Sequence, residues 1–124
     1  MIARGNMWAS LILGVVWACW HLPFYATSAG GVGIPFSAYV ALVIVMAVFL
    51  TWLYNNTKGS LLICVIAHFS FNAASAFIAG YLGLLPRMVF NIGCSIGLGL
   101  LVVAIVAHYG PTHLSKKAER LSHR

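Results

Sequence analysis

The sequence predicts an all-α, polytopic membrane protein with about four transmembrane helices. Of its 124 residues, 62% are hydrophobic and only 6% charged, with a mean hydropathy of +0.98. A soluble domain of this size buries only a modest fraction of its surface and has nowhere to hide so much apolar area. The apolar residues also fall in runs close to the ~20 residues needed to cross a hydrocarbon core. Lipid offers no partner to a backbone N–H or C=O, so spanning runs of this kind must close their hydrogen bonds internally, as helices.

The first apolar run extends from about Met7 to Leu22 and is short for a span, with Pro23 as its expected end. Arg4, this run and Ala26-Thr27-Ser28-Ala29 sketch a signal peptide, but Trp17, Trp20 and His21 suit a signal core poorly. The segment is therefore taken as a retained helix. The second run, Phe36 to Tyr54, carries no charge, and the third runs from Ser60 to about Leu85. The fourth, Val89 to Tyr109, is again uncharged. The expected connections are Phe24–Pro35 with Gly30, Gly31 and Gly33, then Asn55–Gly59, then about Gly80–Arg87. In the fourth run Gly93 and Gly97 form G-x-x-x-G, followed by Gly99; this spacing lets helix backbones approach, within this chain or with a partner helix. Residues 1–109 make one transmembrane domain and 110–124 a basic tail.

A net charge of +6 invites a nucleic-acid reading, but the positions of the charges argue against it. No basic residue lies between Arg4 and Lys58, and Lys116, Lys117, Arg120 and Arg124 crowd the tail. Such flanks are topology signals and contacts for anionic membrane lipid. With four spans both termini share a side, which holds Arg4, Lys58 and the tail cations against Arg87 alone. That asymmetry predicts cytoplasmic termini in a plasma-membrane protein. Asn55-Asn56-Thr57 matches a glycosylation sequon, but on this topology it faces the cytoplasm and is read as a turn.

Chemistry must come from the few polar groups inside the apolar runs, where ionisable side chains are costly and point to function. His21 and His68 qualify, whereas His108, at the end of the fourth run, and His113 and His123 of the tail read as interfacial or solvated. His68 and Asn72 are four residues apart and share a helix face, with Ser75 extending the polar stripe. Cys19, Cys64 and Cys94 lie in apolar runs without metal-ligand spacing and read as interface fillers. The histidines and Asn72 are either polar glue between helices or one site. As a zinc set they are thin, since catalytic zinc takes three protein ligands. As a hydrolytic site they lack an acid, because Glu119 in the tail is the chain's sole carboxylate side chain. Two histidines on separate helices also suit bis-histidine haem ligation.

The stretches SLILGVVWACWHLPFY and TWLYNNTKGSLLICVIAHFSFNAAS resemble two motifs of the CPBP intramembrane endopeptidases, the CAAX-protease and bacteriocin-processing (Abi) family. The first matches the aromatic residue followed four positions later by His, with Trp17 and His21; the second matches His-x-x-x-Asn, with His68 and Asn72. The resemblance covers roughly residues 8–80 and implies the C-terminal part of the CPBP helical fold. It implies catalytic roles for His21, His68 and Asn72. His21 would activate water with a glutamate, and His68 and Asn72 would position substrate or stabilise the oxyanion. Where the family is treated as metal-dependent, His21 and His68 would instead bind a divalent ion such as zinc. The substrate implied is a CAAX-type prenyl protein or a membrane peptide. The family's Glu-Glu-x-x-x-Arg motif is missing, and Arg4-Gly5 only echoes its end. The chain is therefore expected to be a truncated or altered member that cleaves nothing alone. A non-catalytic interaction or bacteriocin-immunity module is the competing expectation.

Overall fold

A computed structural model describes residues 6–27, 34–112 and 114. Arg4, the three glycines of the first connection, His113, His123, Glu119 and the four tail cations lie outside the described residues, and with them most of the expected 110–124 tail. Among the described residues the ordered elements are all helical: α1 (Met7–Trp20), α2 (Leu22–Ala26), α3 (Phe36–Asn56), α4 (Leu61–Leu82) and α5 (Leu84–Tyr109). Four helical segments among the described residues are long and apolar enough to cross a membrane. The protein is an all-α integral membrane protein.

The first span differs from its expected form. Asn6 caps α1 by accepting from the Ala9 N–H at 2.8 Å. The helix ends before Pro23, at His21, whose N–H bonds back to Ala18. The His21 C=O then accepts from the N–H groups of Phe24 and Tyr25, so helix resumes at once as α2. Pro23 sits in the first turn of α2, where a missing N–H leaves no bond unmade. Proline thus restarts the helix here. Together α1 and α2 give a span of 20 residues, Met7–Ala26, in place of the short one expected.

The last connection also differs. In place of a loop over Gly80–Arg87, helix runs to Leu82 and resumes at Leu84. Gly83 alone makes the break, with φ +95°, a region that only glycine enters cheaply. Pro86 is tolerated because it lies in the first turn of α5. The sequon asparagines belong to the last turn of α3; the turn itself is Thr57–Gly59, with Lys58 and Gly59 at positive φ.

The central helix is α3, which packs against α1, α4 and α5 and buries Tyr39, Leu42, Val43, Met46, Ala47 and Val48. Its tightest seam is with α1, where Ser10, Gly14 and Ala18 are buried at four-residue spacing. A Cβ at Gly14 would stand 2.8 Å from the Ile44 Cα, so only glycine permits this approach. One turn below, the Ser10 and Thr51 hydroxyls are hydrogen-bonded at 2.7 Å. The G-x-x-x-G of α5 behaves differently. No described residue lies within 4 Å of a Cβ built at Gly93, Gly97 or Gly99, so it is no packing face among the described residues. Both ends of the described chain meet at one end of the bundle: Met7 N–H donates to Pro111 C=O at 3.2 Å, and Asn56 Nδ2 to Leu114 C=O at 3.0 Å.

Gly14→Ala is expected to destabilise the protein by about 1–3 kcal/mol through overpacking against Ile44. Gly97→Ala, in open space, should be neutral or mildly stabilising for the isolated protein. Thermal unfolding in detergent, followed by tryptophan fluorescence, separates the two.

Candidate active site

The seam between α1 and α3 places the first histidine. Ser10, Gly14 and Ala18 face α3, and this face continues to Trp17 and His21. Because α1 stops at His21, the imidazole bends back along its own helix. Its Nδ1 lies 2.9 Å from the Trp17 C=O. A carbonyl can only accept, so Nδ1 carries a proton, and in the neutral ring the lone pair is on Nε2. The ring also rests against Tyr39 of α3, at a centroid distance of 5.4 Å.

The second histidine is placed by the turn preceding α4. Ser60 caps that helix, accepting from the Ile63 N–H at 3.4 Å, and this sets its start. His68 and Asn72 then project together, with Asn72 Nδ2 2.7 Å from His68 Nε2. In this arrangement the carboxamide donates and Nε2 accepts, leaving the proton on Nδ1. His68 is half-buried, while Asn72 is exposed. Ser70, between them in sequence, points elsewhere and is also exposed. Phe71 turns to the other side and stacks on Phe90 of α5 at 5.8 Å.

One indole joins the two histidines. Trp17 stacks on His68 with centroids 4.9 Å apart and an interplanar angle of 25°, and stands 6.5 Å from His21. The two histidines that sequence places on separate helices are thus brought into one neighbourhood, with Trp17 in contact with both. A porphyrin between the imidazoles would have to share that space with the indole.

The pair on α4 opens onto a cleft of about 370 Å³ between α3 and α4, lined by Leu50, Leu61, Cys64, Val65, His68, Phe69 and Asn72. Apart from the His68–Asn72 pair and the Cys64 thiol, its wall is apolar. Cys64 is one turn before His68 on the same face, and its thiol donates to the Leu50 C=O at 3.5 Å. Cys64 reads as filler in the sequence, yet its four-residue spacing from His68 places it in the cleft. The Tyr39 contact has no such signal, for this is a tyrosine early in an apolar run. The polar stripe does continue to Ser75, but there it leaves the cleft and bonds to α5: Ser75 Oγ donates to Asn91 Oδ1 at 3.2 Å.

The donor set does not fit a catalytic metal. His21 Nε2 is one imidazole donor, and His68 adds a second only by giving up its Asn72 bond or its Nδ1 proton, where catalytic zinc takes three protein ligands. No group of three or more His, Cys, Asp or Glu positioned to hold a metal exists among the described residues. What the residues do supply is an imidazole at His21 held through Nδ1, with Nε2 unbonded among the described residues, and a hydrogen-bonded imidazole–carboxamide pair at the edge of an apolar cleft.

The family model for the type II CAAX prenyl endopeptidase Rce1-like family matches residues 1–74, a stretch that contains Trp17, His21, His68 and Asn72. The chain belongs to this family. It agrees with the CPBP resemblance carried by the two motifs, and it takes in α1 to α3 and more than half of α4. Searches of curated proteins and of solved structures gave no match.

Trp17→Ala is expected to lose both ring contacts and cost roughly 2 kcal/mol, whereas Trp17→Phe keeps an aromatic face against His68 and costs less than half of that. Thermal unfolding of the two variants measures the difference.

Proposed function

We propose that this chain contributes the histidine–asparagine half of an intramembrane endopeptidase site acting on CAAX-type prenyl proteins or membrane peptides. The observation that carries this reading is the His68–Asn72 hydrogen bond beside a Trp17-linked His21, within the family match. His21 Nε2 has the lone pair to take a proton from water. The Asn72 amide and the His68 N–H are donors suited to an oxyanion that develops on a peptide carbonyl at the cleft edge. The apolar wall from Leu61 to Phe69 suits a substrate arriving from lipid.

Residues 1–118 contain no carboxylate side chain to orient or share that water. The chain by itself is therefore proposed not to cleave peptides; activity requires carboxylates from outside these residues. The test is cleavage of a fluorogenic prenylated peptide in proteoliposomes, with and without an added helix carrying Glu-Glu-x-x-x-Arg, fused in frame or co-expressed. Cleavage should appear only with the helix, and His21→Ala, His68→Ala or Asn72→Ala should each lower it by about 100-fold or more. Equal cleavage with and without the helix would refute the need for external carboxylates.

One observation favours a second reading, a non-catalytic interaction or immunity module: the Gly93, Gly97 and Gly99 stripe on α5 is open for another helix. On that reading Gly97→Leu removes the cellular phenotype while His21→Ala and His68→Ala leave it intact.

The bundle end where the chain ends meet also carries Lys58, with Arg87 at the other end. We infer from this and the basic tail that both termini are cytoplasmic, in the plasma membrane. A C-terminal fusion should be fluorescent with green fluorescent protein and inactive with alkaline phosphatase; the opposite pattern would reverse the topology.

A further inference from the structure

Arg87 is the sole charged side chain inside α1 to α5. It stands in the first turn of α5, where the positive end of the helix dipole makes a cation unfavourable. No acid of residues 1–118 can neutralise it. A charge in that position would ordinarily reach outward to water, yet this one is turned inward. Its Nε donates to Ser75 Oγ of α4 at 3.2 Å, and Ser75 in turn donates to Asn91 Oδ1 at 3.2 Å. Ser75 and Asn91 are 5% and 1% exposed, so the guanidinium is anchored on a buried polar pair and its plane is fixed.

That anchoring leaves a specific feature. With Nε committed to Ser75, the two terminal nitrogens form a forked donor, and they make no hydrogen bond or ion pair among the described residues. Such a fork matches two oxygens of a single oxyanion. Depth indicates which oxyanion. The 26 residues of α5 extend ~39 Å against ~30 Å of hydrocarbon, so the first turn reaches the headgroup layer, where phosphates lie.

We propose that Arg87, positioned by Ser75 and Asn91, is a seat for a phosphate group, occupied by the headgroup of an anionic phospholipid where α4 meets α5. The bound phosphate supplies the missing countercharge, offsets the helix-dipole penalty and ties α4 to α5 beyond the single-residue break at Gly83. The seat is independent of any catalytic reading. It lies ~10 Å further along α4 than His68, counted along the helix rise.

The experiment is native mass spectrometry of the full chain in non-ionic detergent, titrated with phosphatidylglycerol or phosphatidylcholine at moderate salt, which suppresses loose binding to the tail. Wild type should retain one phosphatidylglycerol in preference to phosphatidylcholine. Arg87→Gln should weaken that retention by about tenfold, the loss expected for a forked charge-assisted contact. Ser75→Ala and Arg87→Lys should weaken it in part, the first by releasing the anchor and the second by losing the fork. Lys58→Gln should match wild type. Retention unchanged in Arg87→Gln overturns the proposal. If Arg87→Gln does not fold, wild-type retention in both Ser75→Ala and Arg87→Lys overturns it equally. An added arm with inorganic phosphate decides the source: displacement of the lipid at millimolar phosphate overturns the lipid assignment in favour of a free phosphate ligand.

Discussion

The close approach of α1 to α3 at Gly14 is the constraint on which the rest of the structure depends. With Ile44 against the glycine backbone, α1 is held in one rotation and one height. That rotation puts Ala18 into the core with Tyr39, Leu42 and Val43, and brings Trp17 and His21 toward the other helices. Lipid supplies no hydrophobic force to press helices together, so contact distance and a few polar bonds must do so. Small residues at Ser10, Gly14 and Ala18 provide the distance, and the Ser10–Thr51 hydrogen bond adds the polar contact.

The site inherits its geometry from two breaks in otherwise continuous helix. At His21 the first span pauses, and the freed imidazole bonds to the Trp17 carbonyl, which fixes its tautomer. At Thr57–Gly59 the chain reverses through two residues at positive φ, and the Ser60 cap sets the phase in which His68 and Asn72 emerge. A one-residue shift in either break would rotate its histidine by about 100°. Trp17 then links the two results by touching both rings.

The same logic explains why the polar groups of α4 serve different ends. His68 and Asn72 form a pair at an open apolar cleft, with the carboxamide exposed. Ser75, on the same stripe, is buried against Asn91 and anchors Arg87. One turn of helix therefore separates a pair left open to the cleft from a group that fastens α4 to α5.

Sequence alone determined the class and most of the candidates. Continuous uncharged apolar runs of about 20 residues must be membrane helices, because a single segment of that kind satisfies its backbone hydrogen bonds in lipid only within itself. His21, His68 and Asn72 stood out because imidazole and carboxamide are costly in hydrocarbon, and the family match covers all three. Sequence was less able to choose among equivalent local patterns. Gly93-x-x-x-Gly97 and Ser10-x-x-x-Gly14-x-x-x-Ala18 are both small-residue repeats, yet among the described residues only the second forms a seam, because there only it faces another helix. Pro23 looked like the end of the first span, but it lies in the first turn of α2, where the lost N–H has no partner to miss. The Trp17 bridge, the Tyr39 contact and the Arg87–Ser75–Asn91 anchor join residues on different helices. Only the tertiary structure decided them, because which faces meet depends on helix rotation and approach, and a linear pattern of residue types does not encode either.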